Sequence, residues 1–248
     1  KPILHEVLNK GLQFVLENEK DKIFNQWFTN IYQNILTDNL TLQEKMFLEK
    51  QPVVRFRVRP DRPPFEFVRD GKPVGIAVDY IKQSAKNVGL KVEFVVDNRA
   101  ISDAYKEVES IREEFDTLSF TVKNPQREKR FSFGVSYLSY PMMIISHQNG
   151  PYIGALESLK GETIVLEKGF LTNEWIKRDY PDIKIINAKN TKEALEMVNS
   201  EKVLAYVGNL GVANYMKSFG NMDNLKIVAP SGYGNIEYNF MGPKEWPE

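Results

Sequence analysis

The apolar positions of this chain change period once, near Pro52. Before it, Ile3, Leu4, Val7, Leu8, Leu12 and Val15 recur every three or four residues, as do Ile23, Phe24, Trp27, Phe28 and Ile31. Such spacing puts apolar side chains on one face of a helix. Pro2 suits a first helical position, and Thr41-Leu42-Gln43-Glu44 carries the capping-box pattern of a short helix reaching Leu48. After Pro52, β-rich runs alternate with helical ones. Residues 53–58, 91–96 and 117–122 read as strands, with helices at about 78–88, closed by Gly89, and 101–114 between them. That order predicts a parallel sheet with helices on both faces. A strand at 142–146 follows Tyr137-Leu138-Ser139-Tyr140-Pro141, and the pattern then restarts. Strands are expected at 162–166, 183–186, 204–207 and 225–228, and helices at 171–179, 191–200 and 210–218. Two β/α units joined by two crossovers, near 138–146 and 233–243, are the expected architecture. No sequence repeat relates them.

Composition narrows the picture only slightly. A chain of 248 residues with a mean hydropathy of −0.40 has room for one substantial core or two modest ones. Lys+Arg and Asp+Glu both total 33, so no bulk charge draws the protein to nucleic acid or an anionic membrane, and no nucleic-acid partner is expected. The absence of cysteine excludes disulfides and thiol catalysis and is compatible with an oxidising compartment such as the periplasm. No run approaches the roughly 20 apolar residues of a membrane span. The chain opens at Lys1 with neither an initiator Met nor a signal peptide, and is expected to be a piece of a longer protein.

Several motifs in register resemble those of the family 3 solute-binding proteins. They are Arg59-Pro60-Asp61-Arg62-Pro63-Pro64-Phe65-Glu66-Phe67 followed by 70–80, Asn124-Pro125-Gln126-Arg127 followed by 131–137, Ser158-Leu159-Lys160-Gly161, Glu167-Lys168-Gly169, and Ala205-Tyr206-Val207-Gly208-Asn209-Leu210. Together they cover about residues 52–248. The resemblance implies an α/β fold of two lobes, the type II periplasmic-binding-protein fold, with a parallel-type sheet in each lobe and two hinge crossovers. The texture is similar to that of the Venus-flytrap sensor domains that stand in tandem before a membrane helix in sensor kinases and cyclases. Residues 1–36 resemble the closing helices of such a domain, and the chain stops at 242–248, where its own would begin. The expected organisation is therefore closing helices of a preceding flytrap plus a linker helix at 1–50, lobe 1 at 51–139, lobe 2 at 140–235 and a return crossover at 236–248. Residues 1–28 are expected to dock on lobe 1 in place of the missing helices, in cis or by swapping, because an apolar helix face needs a partner surface.

The family resemblance also implies a site. Arg127 matches the arginine that holds a ligand carboxylate, a task suited to a planar two-pronged donor. Asn209 stands where the family commonly places an Asp that pairs with a ligand ammonium. Arg59 and Arg62 replace smaller, acidic or aromatic residues, Val122 a hydroxyl residue, and Phe170 a small one after Gly169. Thr121 and Thr172 are candidate hydroxyl donors, and Thr172 lies near a helix start, where backbone N–H groups favour anions. With Arg99 nearby and no matching acid, this arginine-rich cleft favours a small carboxylate or other anion over a zwitterionic amino acid. Against this stand a surface role for Arg127, pairing of Arg59 or Arg62 with Asp61 or Glu66, and an ordinary N-cap role for Thr172. Tyr137 and Tyr140 read as hinge packing.

No catalytic residue, metal site or cofactor is expected. His5 and His147 have no triad or metal spacing, and Gly232-Tyr233-Gly234 is no phosphate cradle. The expected function is an extracytoplasmic, periplasmic sensor domain of a transmembrane signalling protein such as a two-component kinase. Its expected partners are a small solute, the preceding flytrap and the downstream membrane and signalling domains, with a homodimer left open. The alternative is the amino-acid receptor of an ABC transporter. A third reading is a dehydratase-type lyase, for which Glu66 is the available proton donor.

Overall fold

Residues 40–245 are described in the structure, a computed structural model, and they divide into two compact units. The first holds residues 40–52 and 84–91, and the second residues 53–83 and 92–245. In the first, helix α1 (Leu42–Glu49) opens with the expected capping box. Glu44 N–H donates to Thr41 Oγ1 at 3.3 Å and Thr41 N–H to Glu44 Oε2 at 2.7 Å. The expected docking of residues 1–28 lies outside the described residues.

The second unit begins with β1 (Val53–Val58) and a small antiparallel sheet of β2 (Asp61–Arg62), β3 (Glu66–Arg69) and β4 (Lys72–Val74). Helix α2 (Ile76–Val88) and strand β5 (Lys91–Val96) follow; their facing ends, 84–91, belong to the first unit. Next come α3 (Ile101–Lys106), β6 (Thr117–Thr121), the single turn α4 (Pro125–Glu128) and β7 (Phe131–Phe133). Strand β8 (Leu138–His147) leads into β9 (Thr163–Glu167), α5 (Leu171–Asp179), β10 (Lys184–Ala188), α6 (Thr191–Asn199), β11 (Ala205–Asn209) and α7 (Leu210–Phe219). Strand β12 (Leu225–Pro243) then runs back.

The strand order is β10-β9-β11-β8-β12-β6-β1-β5. Pairs joined through helices are parallel, as β1 with β6 and β9 with β10 and β11, because a helix returns the chain to the same end of the sheet. The two crossovers are the exception. Strands β8 and β12 pair antiparallel with each other, with Leu138 opposite Tyr238 and Leu225 opposite His147. They form one ribbon that carries the chain from the first lobe to the second and back. Inward-facing Ile144, Ile164, Leu166, Ala205 and Val207 meet Leu156, Leu159 and Ile176 in the second lobe's core. Leu118, Phe131 and Met241 meet Ala104, Val108 and Phe115 in the first.

Four departures from the expected elements have local causes. The helix expected over 101–114 turns into a π-helical segment at Glu107–Ile111 and ends at left-handed Arg112 (φ 47°). Arg55 takes the carbonyls of Arg112 and Glu113, which cannot then continue the helix. The strand expected at 142–146 extends back through Pro141 to Leu138. That expected at 225–228 runs on to Pro243, past a break between Pro230 and Asn235 where Gly232 and Gly234 adopt φ of 84° and 70°. Finally, the β3–β4 hairpin, for which no strands were expected, turns through Asp70-Gly71, both with positive φ, a strong hairpin signal inside the stretch that carries the family resemblance.

Candidate functional site

The carboxyl ends of β1 and β6, the β2–β3 corner and α4 face the carboxyl ends of β9 and β11 and the first turns of α5, α6 and α7 across a cavity of about 80 Å³. All seven residues expected at the site, Arg59, Arg62, Thr121, Arg127, Gly169, Thr172 and Asn209, line it. So do Val122 and Phe170, whereas Tyr137 and Tyr140 do not. Tyr137 instead donates its hydroxyl to the Ser119 carbonyl, and Tyr140 packs edge-on against Phe65. His147 accepts from Asn149 N–H at the far end of β8, and His5 is outside the described residues.

The expected excess of unpaired cations is not there. Arg59 donates to both oxygens of Asp61 at 3.1 and 3.2 Å. Arg62 Nη1 is 3.8 Å from Glu66 Oε1, and its guanidinium lies over the rings of Phe120 (4.7 Å) and Phe170 (5.2 Å). Arg57, not among the expected site residues, also lines the cavity, and its Nε donates to Asp97 at 2.6 Å. Arg99 is not at the cavity at all. It is turned to Asp97, Glu107 and Glu114. The physical reason is cost: a buried guanidinium without a counter-charge is so unfavourable that neighbouring carboxylates are recruited during folding.

Arg127 differs from these. Asn124 caps the turn of α4 by accepting from Arg127 N–H at 2.8 Å, with Pro125 at its first position, and this fixes where the side chain starts. The guanidinium donates to the Val122 carbonyl at 2.7 Å and lies 5.1 Å from the Tyr105 ring centre. Among the described residues it forms no ion pair. The Tyr105 hydroxyl, beside Thr121, makes no hydrogen bond of normal geometry.

In the second lobe the polar groups are held by helix starts. Asn209 caps α7: its Oδ1 accepts from Gly211 N–H (2.7 Å) and Val212 N–H (3.2 Å), and its Nδ2 donates to the Tyr238 hydroxyl (2.8 Å). Both amide ends are therefore engaged. Thr172 is buried in the first turn of α5 but is not its N-cap, which is Phe170. Gly169 has φ 81°, and a Cβ there would stand 3.2 Å from Ile101 Cγ2 of the first lobe.

Two buried glutamates complete the lining. Glu66 accepts from the Ser119 hydroxyl. Burial pushes its carboxyl above the ordinary value, opposed by Arg62, the Ser119 hydrogen bond, Arg57 and Arg59. Glu167 was not recognised from the sequence as a site residue. Its Oε1 accepts from the hydroxyls of Thr191 (2.6 Å) and Tyr206 (2.8 Å). The signal available was a charged residue ending the apolar run 164–166, at the end of the strand where such clefts open.

Comparison with known proteins gives a consistent picture. The family model for bacterial extracellular solute-binding proteins, family 3, matches residues 54–213. The chain is 27% identical over 169 residues to the L-cystine-binding protein TcyA of Bacillus subtilis, covering 67% of this chain and 60% of that protein. It is 24% identical over 216 residues to the virulence sensor protein BvgS of Bordetella pertussis, covering 86% of this chain and 17% of that sensor. The crystal structure of the BvgS periplasmic VFT2 domain superposes with a TM-score of 0.74 at 22% identity, covering 82% of this chain and 86% of that one.

Proposed function

Because the chain belongs to the bacterial extracellular solute-binding proteins of family 3, we propose that it is an extracytoplasmic sensor domain of a transmembrane signalling protein, which holds a small carboxylate-bearing solute at Arg127. One observation carries the ligand reading. Of the four arginines lining the cavity, Arg57, Arg59 and Arg62 each have a carboxylate partner, and Arg127 has none among the described residues. A guanidinium in a confined site gains most from a carboxylate that takes two parallel hydrogen bonds. The solute would complete the charge pairing that folding leaves open, and by bridging the lobes it would shift their open–closed balance.

The sensor assignment is supported by the extent of the likeness to BvgS, 86% of this chain. In this reading the domain is periplasmic and non-catalytic, with residues 1–50 as the closing helices of a preceding flytrap plus a linker, and 51–139, 140–235 and 236–248 as the two lobes and the return crossover. The likeness to TcyA favours a second reading, the receptor of an amino-acid ABC transporter. The coding sequence beyond these residues separates the two, through a membrane helix with kinase or cyclase motifs or through none.

The ligand test is calorimetric titration of the protein with short-chain carboxylates and amino acids. We expect binding by carboxylate-bearing solutes and its loss in Arg127→Ala, by roughly 100-fold for a charge-assisted pair. Equal binding by Arg127→Ala would remove Arg127 from the site.

A further inference from the structure

The two lobes also meet outside the cavity. Strand β3 belongs to the small antiparallel sheet of the first lobe, and helix α7 to the second lobe. Alternate positions along the first, Phe65, Phe67 and Arg69, stand against two positions four apart on the helix, Gly211 and Tyr215. The rings of Phe67 and Tyr215 have centres 5.8 Å apart, and Arg69 Nη2 donates to the Tyr215 hydroxyl at 3.4 Å. A Cβ on Gly211 would lie 2.6 Å from Cζ of Phe65, so glycine in the first turn of α7 leaves that ring its seat. None of these five residues lines the cavity.

The spacing of the two elements explains the fit. Alternate residues of a strand are about 6.6 Å apart along its axis, and residues four apart on a helix about 6 Å. Side chains of the two therefore meet rung by rung. The contacts are of kinds that tolerate partial exposure. Phe67 and Tyr215 are half-buried, the Arg69 guanidinium lies 5.2 Å from the Phe67 ring centre, and Phe219 backs Tyr215 one turn on at 4.9 Å. Glu66, between Phe65 and Phe67, lines the cavity, as do Asn209 and Val212 of the helix. The same strand and the same helix thus serve the cavity with some residues and grip each other with the rest.

We propose that Phe67, Arg69 and Tyr215 form an interlobe latch that sets the open–closed balance of the domain independently of what the cavity holds. A contact made only when the lobes are together shifts that balance by its own free energy, and an aromatic pair is worth about 3–10-fold. The latch scales the grip on every solute alike and selects among none. It uses no cavity residue, so it stands or falls apart from the Arg127 reading.

The chain has no cysteine, so paired spin labels can be introduced without background. Lys106→Cys on α3 of the first lobe and Lys192→Cys on α6 of the second place them at exposed positions clear of the latch. Pulsed electron resonance then reads the distance between labels in the solute-free protein, alone and with Phe67→Ala, Tyr215→Ala or both. The parent should show a short-distance population, and either substitution should lower its ratio to the long-distance one by about 3–10-fold. The double substitution should go little further than a single one, because both remove the same contact. A parent found only at long distance, or distributions that coincide in the parent and the single variants, overturns the latch. Additive shifts overturn it too, since Phe67 and Tyr215 would then act on the balance separately. The two residues lie on different lobes, so if one variant failed to fold the other would still decide.

Discussion

The two lobes face the cavity with polar groups of opposite kind, neutralised by different means. The first presents arginines, and all but Arg127 are balanced by carboxylates of their own lobe: Asp97 for Arg57, Asp61 for Arg59 and Glu66 for Arg62. The second presents helix starts, an uncharged amide and one carboxylate, held by backbone N–H groups and hydroxyls. The lesson is that a count of charges at a cleft does not describe what the cleft offers. Most of the charge is structural, and a solute meets what folding left over.

The contrast can be broken most forcefully at Arg57. It is buried, with Nε on Asp97 and Nη2 on the Arg99 carbonyl at 2.6 Å each. Arg57→Met should destabilise the domain by about 3 kcal/mol, because it leaves Asp97 buried with exposed-side Arg99 as its remaining counter-charge. Arg127→Met should cost about 1 kcal/mol, since it loses the hydrogen bond to the Val122 carbonyl but leaves no described buried charge without its counter-charge. Urea unfolding of the two variants measures the difference, and equal costs would erase the distinction between structural and free arginines.

In the second lobe the corresponding test is Asn209. Asn209→Ala removes the α7 cap and the bond to Tyr238, and should cost about 1–2 kcal/mol in the same assay. Asn209→Asp keeps an oxygen for the cap and should recover most of that loss. If alanine is neutral, the amide is not tied up in capping and is free for a solute.

The smallest effect is a pH dependence located in the first lobe. Burial raises the Glu66 carboxyl above its ordinary value. A carboxyl with a higher value folded than unfolded holds its proton more tightly when folded. Its contribution is therefore most favourable below the unfolded value and is lost as pH rises through the raised folded one. The slope from this single proton cannot exceed about 1.4 kcal/mol per pH unit. Melting temperatures of wild type and Glu66→Gln should converge or cross as pH rises from the ordinary carboxylate range. A constant difference would mean that Arg62, Arg57 and Ser119 offset the burial fully.

Much of this protein is legible in local pattern. The strands at Val53–Val58 and Lys91–Val96, the helix Leu171–Asp179 and the capping box at Thr41 lie where periodicity and capping chemistry put them, because those signals act within a few residues. The alternation of strand and helix likewise determines the two parallel-type half-sheets. The family resemblance, rather than local pattern, pointed to the seven residues that line the cavity from both lobes, at the strand ends and helix starts where such folds open. What only the tertiary structure decided is who neutralises whom. The sequence leaves open whether Arg59 and Arg62 pair with Asp61 and Glu66, and the structure pairs them; Asn209 looks free, yet the N–H groups of α7 engage it. Glu167 looks like the end of a strand, yet stands on the cavity and takes the hydroxyls of Thr191 and Tyr206. Hydrogen bonding and charge pairing depend on ångström distances between segments far apart in the chain, and no period along the sequence encodes them.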